Sequence, residues 1–260
     1  MSRITSHFIK QFTVFFDYCP STHAAYKTRA DLSGSIAVMN EIINLDIEQK
    51  IYKKRTSSVT LLQNFSLNVQ EGEKIAIVGK SGAGKSTLLN ILGLIDRDYI
   101  GTYHLSSRFV AGLSDRELAA ARNQKIGFVL QESALINSLS LADNIKLPFL
   151  YARESKRHLS ERFDEVVTAL RINSILGKKP LDCSGGEKAR AVFARAIVMN
   201  PELVLADEPT ASLDVENQDR IMELIFKLNE ENGATIITVT HDLYVAQQHD
   251  RVITLQRKEI

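Results

Sequence analysis

Eight consecutive residues, Gly79-Lys80-Ser81-Gly82-Ala83-Gly84-Lys85-Ser86, have the spacing G-x-x-x-x-G-K-[ST]. The chemistry this pattern serves is the holding of a triphosphate. Glycines let the backbone wrap the phosphates closely with its N–H groups turned inward. The helix that follows presents its positive end. Lys85 can reach the β- and γ-phosphates and the Ser86 hydroxyl can ligate Mg²⁺. Thr87, next in line, counts with the nucleotide-binding set. A second run, Leu203-Val204-Leu205-Ala206-Asp207-Glu208, is an apolar stretch that ends in two carboxylates. Asp207 is spaced to sit at the tip of a strand and enter the Mg²⁺ shell. Glu208 follows it and can orient or deprotonate an attacking water.

These residues need elements to carry them. Ile75–Val78 is a continuous apolar run, the pattern of a strand buried on both faces, and a helix is expected from Lys85 with Leu88, Leu89, Ile91 and Leu92 as its stripe. Leu203–Ala206 is a second such strand, announced by the Asn200-Pro201 break. Thr235–Thr240 is a third and Val252–Leu255 a last one. Ile42–Tyr52 and Val59–Val69 also read as strands, with a turn at Gln70–Glu73, and Ile126–Leu130 as a short one. Residues 140–200 read as mainly helical and Asp214–Asn229 as a helix. Alternating strands and helices predict an α/β fold, a mostly parallel sheet with helices on both faces.

Composition agrees. The chain has 260 residues, 44% hydrophobic and 24% charged, with no internal repeat or low-complexity segment. Lys+Arg 32 against Asp+Glu 31 lacks the basic excess of a nucleic-acid binder, so no nucleic-acid partner is expected. Two cysteines far apart, Cys19 and Cys183, exclude a disulfide scaffold and a zinc ribbon. No run of about 18 apolar residues or signal-peptide pattern occurs, so a cytoplasmic location is expected. Residues 1–40 lack a clear period and read as an N-terminal extension. Met39 stands just before the patterned region as a candidate start. Mass spectrometry of the native protein that finds residues 1–38 would exclude it.

The remaining motifs carry a resemblance. Cys183-Ser184-Gly185-Gly186-Glu187 resembles the signature motif of ATP-binding-cassette (ABC) ATPases. Asp207-Glu208-Pro209-Thr210-Ala211-Ser212-Leu213-Asp214 resembles their Walker B and D-loop, and Thr240-His241-Asp242 their H-loop. Gln131 falls at the Q-loop. All stand in the family's order within residues 41–260. The approach Arg122–Gln131 looks like that of the lipoprotein-releasing, macrolide-exporter and cell-division branch (LolD, MacB and FtsE types). Two departures are Cys183 where Leu is usual and Glu187 where Gln is commoner. Neither touches the Ser-Gly-Gly centre.

The resemblance implies a P-loop NTPase (RecA-like) core, an antiparallel β subdomain, and a helical subdomain inserted over about 132–190. It implies ATP and Mg²⁺ as ligands, the metal held by Ser86, Gln131 and Asp207. By the same resemblance Tyr52 stacks on adenine, and Glu208, His241, Gln131 and Lys85 serve catalysis. Ser184, Gly185, Gly186 and Glu187 clasp ATP on a second copy, and Ser212, Leu213 and Asp214 line the dimer seam. The implied partners are an integral-membrane permease, a second copy of the chain and, through the permease, a periplasmic adaptor. The implied seat is the cytoplasmic face of the inner membrane. The implied role is powering lipoprotein release or macrolide or peptide export. The alternative is an ATPase switch that regulates a cell-division or cell-wall complex.

Overall fold

The computed structural model describes residues 40–53, 58–130, 135–211 and 213–256. Two sheets organise them. The first is antiparallel, in the order β2-β1-β4-β5, built from β1 (Glu41–Lys53), β2 (Ser58–Gln70), β4 (Ile100–Leu105) and β5 (Arg108–Phe109). The second is parallel, in the order β6-β7-β8-β3-β9, built from β6 (Ile126–Val129), β7 (Leu203–Asp207), β8 (Thr235–Val239), β3 (Lys74–Gly79) and β9 (Arg251–Leu255). β3, β7 and β8 are buried on both faces, as continuous apolar runs require, whereas β9, at the sheet edge, buries only Leu255 of the run Val252–Leu255 expected to be a buried strand. Along β7, Leu203 and Leu205 join the core shared with the antiparallel sheet, while Val204 and Ala206 join the core under the helices.

Each helix has a local cause. α1 (Lys85–Leu92) buries Leu88, Leu89, Ile91 and Leu92, the expected stripe. α2 (Asp115–Lys125) starts at a capping box in which Ser114 and Glu117 satisfy each other's backbone N–H groups. The block expected to be helical holds α3 (Leu141–Lys146), α4 (Lys156–Ala169) and α5 (Gly185–Ile197), joined by short 3₁₀ turns. α6 (Val215–Asn232) starts at the N-cap Asp214 and ends at Gly233 in the left-handed region, so it runs about one turn further than the sequence pattern indicated. A short α7 (Leu243–Ala246) follows β8. The buried Lys50 on β1 pairs with Asp96 at 2.9 Å and donates to the Asp98 carbonyl at 2.5 Å, fixing the antiparallel sheet to the segment after α1.

Candidate functional site

Parallel strands bring their C-terminal tips to one edge. At the tip of β3 stands Gly79, followed by the turn Lys80–Gly84 and then α1. Gly84 is the N-cap of α1 at φ 94°, a left-handed conformation that glycine adopts without steric penalty. It supplies no side-chain cap, and the first turn carries no acidic residue. The N–H groups that open α1 are therefore left to an outside acceptor. Lys80, Ser81, Gly82 and Ser86 are exposed, Ala83 is buried, and Lys85 and Thr87 are half-buried. The Lys85 ammonium donates to the Gly79 and Lys80 carbonyls at 2.7 and 3.2 Å, so it folds back over its own loop.

At the tip of β7 stands half-buried Asp207. Its carboxyl lies above the usual carboxylate range, chiefly through burial; the Ser86 hydroxyl, which donates to it, and the Lys85 charge pull the other way. Glu208, one residue on, has φ 47°, a left-handed backbone that costs a non-glycine residue about 1 kcal/mol. Its N–H donates to the Val239 carbonyl at 2.9 Å, which holds it to the end of β8. Beyond that end, the Thr240 N–H donates to Ile77 at 3.1 Å. His241 then lays Nδ1 2.8 Å from Glu208 Oε1. Phosphate loop, Asp207, Glu208 and His241 thus stand on three neighbouring strands.

Ser184, Gly185, Gly186 and Glu187 open α5. This helix lies within the block expected to be helical, and it starts at Gly185 because Ser184 is its N-cap. The Ser184 Oγ accepts from the Glu187 N–H at 3.2 Å, and the Ser184 N–H donates to the Glu187 carboxylate at 2.8 Å. Lys178 also donates to Glu187 at 3.0 Å. Together these hold the Glu187 carboxyl below its ordinary range. Cys183 packs against the helical core as a small apolar group, and burial pushes its thiol up. Leu213 also packs on that core. Asp214 caps α6, accepting from the Asn217 N–H at 2.9 Å.

Tyr52 is exposed on β1 and pairs in register with Val59 of β2. Two residues along β2, the Leu61 carbonyl would lie 3.2 Å from a Cβ at Gly84, so this hairpin abuts the phosphate loop. Gln131 and Ser212 lie outside the described residues. Three features of the site went unread in the sequence. One is the Glu208–His241 bond. Another is Asp242, which caps α7 and accepts from Gln218 Nε2 at 2.8 Å. The third is Asn217, which binds Asp214. Only Asp242 left a sequence signal, an acidic residue directly before a helical stretch.

Among the described residues no cluster of three or more His, Cys, Asp or Glu could hold a metal alone, and no helix is long and apolar enough to cross a membrane.

Comparison with known proteins agrees with this geometry. The model of the ABC transporter family matches residues 62–211. The ABC transporter ATP-binding protein MJ0796 of Methanocaldococcus jannaschii is 38% identical over 84% of this chain and 95% of its own. The Bacillus subtilis ATP-binding protein YknY is 38% identical over 83% and 93%. The macrolide export ATP-binding/permease protein MacB of Bartonella henselae is 40% identical over 78% of this chain, which spans only 30% of that longer protein. Among solved structures, the dimeric post-hydrolysis state of MJ0796 bound to ADP and Pi superimposes with a TM-score of 0.76, covering 84% of this chain and 96% of the other. The cbiO1 cassette of Clostridium perfringens follows at 0.73 and 26% identity, covering 84% and 86%. A nucleotide-type phosphate loop, two carboxylates at the tip of β7 on the same edge of the sheet and the family match lead to one conclusion: the chain belongs to the ABC transporter family, as an ATP-binding cassette that hydrolyses ATP.

Proposed function

We propose that this cassette powers a separate membrane permease of the lipoprotein-releasing or macrolide-exporting kind. ATP is then held between the phosphate loop of one copy and the signature turn of a second. The observation that carries the catalytic part is the Glu208–His241 contact beside the phosphate loop. Glu208 has the reach and charge to take a proton from water, and His241 is positioned to steady it and to meet the γ-phosphate. The backbone of Gly79–Gly84 and the N–H groups opening α1, through Ser86 and Thr87, bind the phosphates. Lys85 leaves the Gly79 and Lys80 carbonyls for the β/γ-oxygens. Tyr52 stacks on adenine. Ser184–Gly186 and Glu187 face the partner copy's ATP, and Ser212, Leu213 and Asp214 line the seam. Binding favours the closed dimer because both halves gain contacts only there.

Mg²⁺ fits the donors on hand. Ser86 and Asp207 are hard oxygen ligands already in contact, and Gln131 adds a third. Two or three protein ligands suffice for a metal that takes its other oxygens from phosphate and water. When bound it supplies charge neutralisation to the phosphates. It also offers the raised Asp207 carboxyl a positive neighbour.

In this reading residues 41–260 are the cassette, with a helical subdomain over about 132–190, seated peripherally on the cytoplasmic face of the inner membrane. Exposed Leu150 and Tyr151 in that subdomain are apolar surface of the kind a permease covers. Likeness to the ATP-binding part of MacB supports an export role, with a periplasmic adaptor reached through the permease. The test is Glu208→Gln. ATP binding stays within about twofold and turnover falls by roughly 10²–10³-fold. Turnover at the wild-type rate would overturn the assignment of Glu208. The same variant, trapped with ATP in detergent-solubilised membranes and pulled down, brings with it a permease with a large extracytoplasmic domain. Recovery of cell-division proteins instead would transfer the assignment to a regulatory switch.

A further inference from the structure

His241 stands in the short loop between β8 and α7, and the two sides of that loop are held differently. Before it, Thr240 is buried and its N–H donates to the Ile77 carbonyl at 3.1 Å. After it, α7 buries only Val245 and Ala246, while Leu243 and Tyr244 at its start are exposed. The start of α7 is held by polar bonds instead. Asp242 Oδ1 accepts from the Tyr244 N–H at 2.8 Å, and its Oδ2 accepts from Gln218 Nε2, also at 2.8 Å. A carboxylate only accepts, so the Gln218 amide must turn its NH₂ toward it. This bond is the chief reason the Asp242 carboxyl lies below its ordinary range. Among the described residues, Gln218 is the one side chain that bonds this carboxylate. Gln218 lies one turn into α6, where its own N–H donates to the Asp214 carbonyl at 2.8 Å. The next residue, Asp219, accepts from the Tyr244 hydroxyl. Two successive side chains of α6 thus grip the start of α7, and Gln218 grips the residue that directly follows His241.

We propose that Gln218 is a positioning residue for ATP hydrolysis, which pins Asp242 to α6 and thereby holds His241 against Glu208. The proposal rests on the reading that His241 steadies Glu208 and meets the γ-phosphate. The His241 side chain is 70% exposed, and its 2.8 Å contact with Glu208 depends on the backbone that carries it. Without the Gln218 amide, Asp242 still caps α7 but loses its bond to α6, and His241 is fixed on the Thr240 side alone. The bonds of Gln218 run to Asp242 and Asp214 and not to the phosphate loop, so its effect is on the chemical step rather than on nucleotide capture.

The test measures single-turnover hydrolysis of γ-labelled ATP by the full chain, which reads slow variants, beside fluorescent-ATP titration. Gln218→Met keeps the length and apolar stem of the side chain but has no donor. It lowers the hydrolysis rate about five- to tenfold, the size of one lost hydrogen bond, and leaves ATP binding within about twofold. Gln218→Lys supplies a donor to Asp242 again and returns the rate to within about twofold of wild type. A lysine variant as slow as the methionine one would overturn the proposal. The decisive measurement places Gln218→Met in a His241→Ala background. A residue that acts through His241 then costs nothing further, whereas a merely structural defect costs its full factor again. A second drop of that size would overturn the proposal. If His241→Ala alone hydrolyses ATP at the wild-type rate, the reading of His241 falls and takes the proposal with it. If His241→Ala is slow but Gln218→Met is not, the proposal alone falls.

Discussion

Two helices in this molecule begin at a glycine-rich turn, and they begin in opposite ways. α1 opens behind Gly84 with no side-chain cap and no acidic residue in its first turn. α5 opens behind Ser184 with a complete capping box, its Glu187 carboxylate already on the Ser184 N–H. The first end is an anion site left open, with Lys85 parked on carbonyls it can leave. The second has used part of its positive end on its own glutamate. Such a pair divides the labour. The open end can hold a polyphosphate alone, and the capped end adds attraction only once something else has brought the phosphate to it. That asymmetry suits a site whose halves sit on different copies and must part after each cycle.

The widest break in this comparison is Lys85→Ala. It strips the open end of its cation and should weaken ATP binding about a hundredfold, while the melting temperature hardly moves, as read by fluorescent-nucleotide titration. Binding within threefold of wild type would mean the backbone N–H groups suffice without it. Glu187→Gln sharpens the comparison from the other side. It removes a negative charge from the first turn of α5 while keeping a side chain that can still accept from Ser184. ATP-dependent dimerisation should strengthen about two- to fivefold, and an unchanged midpoint would show that Glu187 does not weigh on that helix end. Lys178 loses its charged partner in this variant, at a cost below about 1 kcal/mol for so exposed a pair.

The smallest effect concerns Asp207. Burial raises its folded-state pKa above the ordinary 3.8, so the folded chain holds that proton more tightly than the unfolded chain does. Stability is therefore lost as pH rises from 3.8 through the folded value and stays lower above it. Asp207→Asn carries no such penalty. It should melt above wild type at pH 7.5, with the gap closing as the pH is lowered toward 4, even though turnover is gone. Parallel melting curves at both pH values would contradict the burial argument.

Much of this was legible because the residues that do chemistry sit on the strongest patterns. β3, β7 and β8 are apolar runs flanked by turn residues, and their tips were located to within a residue or two. β4 and β5 left little signal. Only Tyr103 and Leu105 are buried among Ile100–Leu105, so the strand lacks an apolar alternation along its length. α2 buries Leu118 alone, yet Ser114-Asp115-Arg116-Glu117 announces a capping box that reading by apolar period overlooks. The start of α5 was set by hydrogen bonds at Ser184 rather than by its apolar face. The contacts Glu208–His241 and Gln218–Asp242 could not have been read at all, since each joins segments brought together only by the fold, whereas Asn217 meets Asp214 three residues away at one helix start.

The place of β3 in that sheet has a consequence for synthesis. β3 carries the phosphate loop, but its two neighbours are β8 and β9, and the Lys74 N–H is bonded to Asp250, 176 residues on. A nascent chain thus exposes the loop early and cannot seat its strand until nearly the whole chain has left the ribosome, roughly 10–35 s later at ordinary elongation rates. Through that interval an apolar strand waits unpaired, and the helices between must fold around a missing centre. Cassettes stalled or cut before Arg251 would carry every motif named above and still lack the strand beside the loop that is meant to hold the nucleotide.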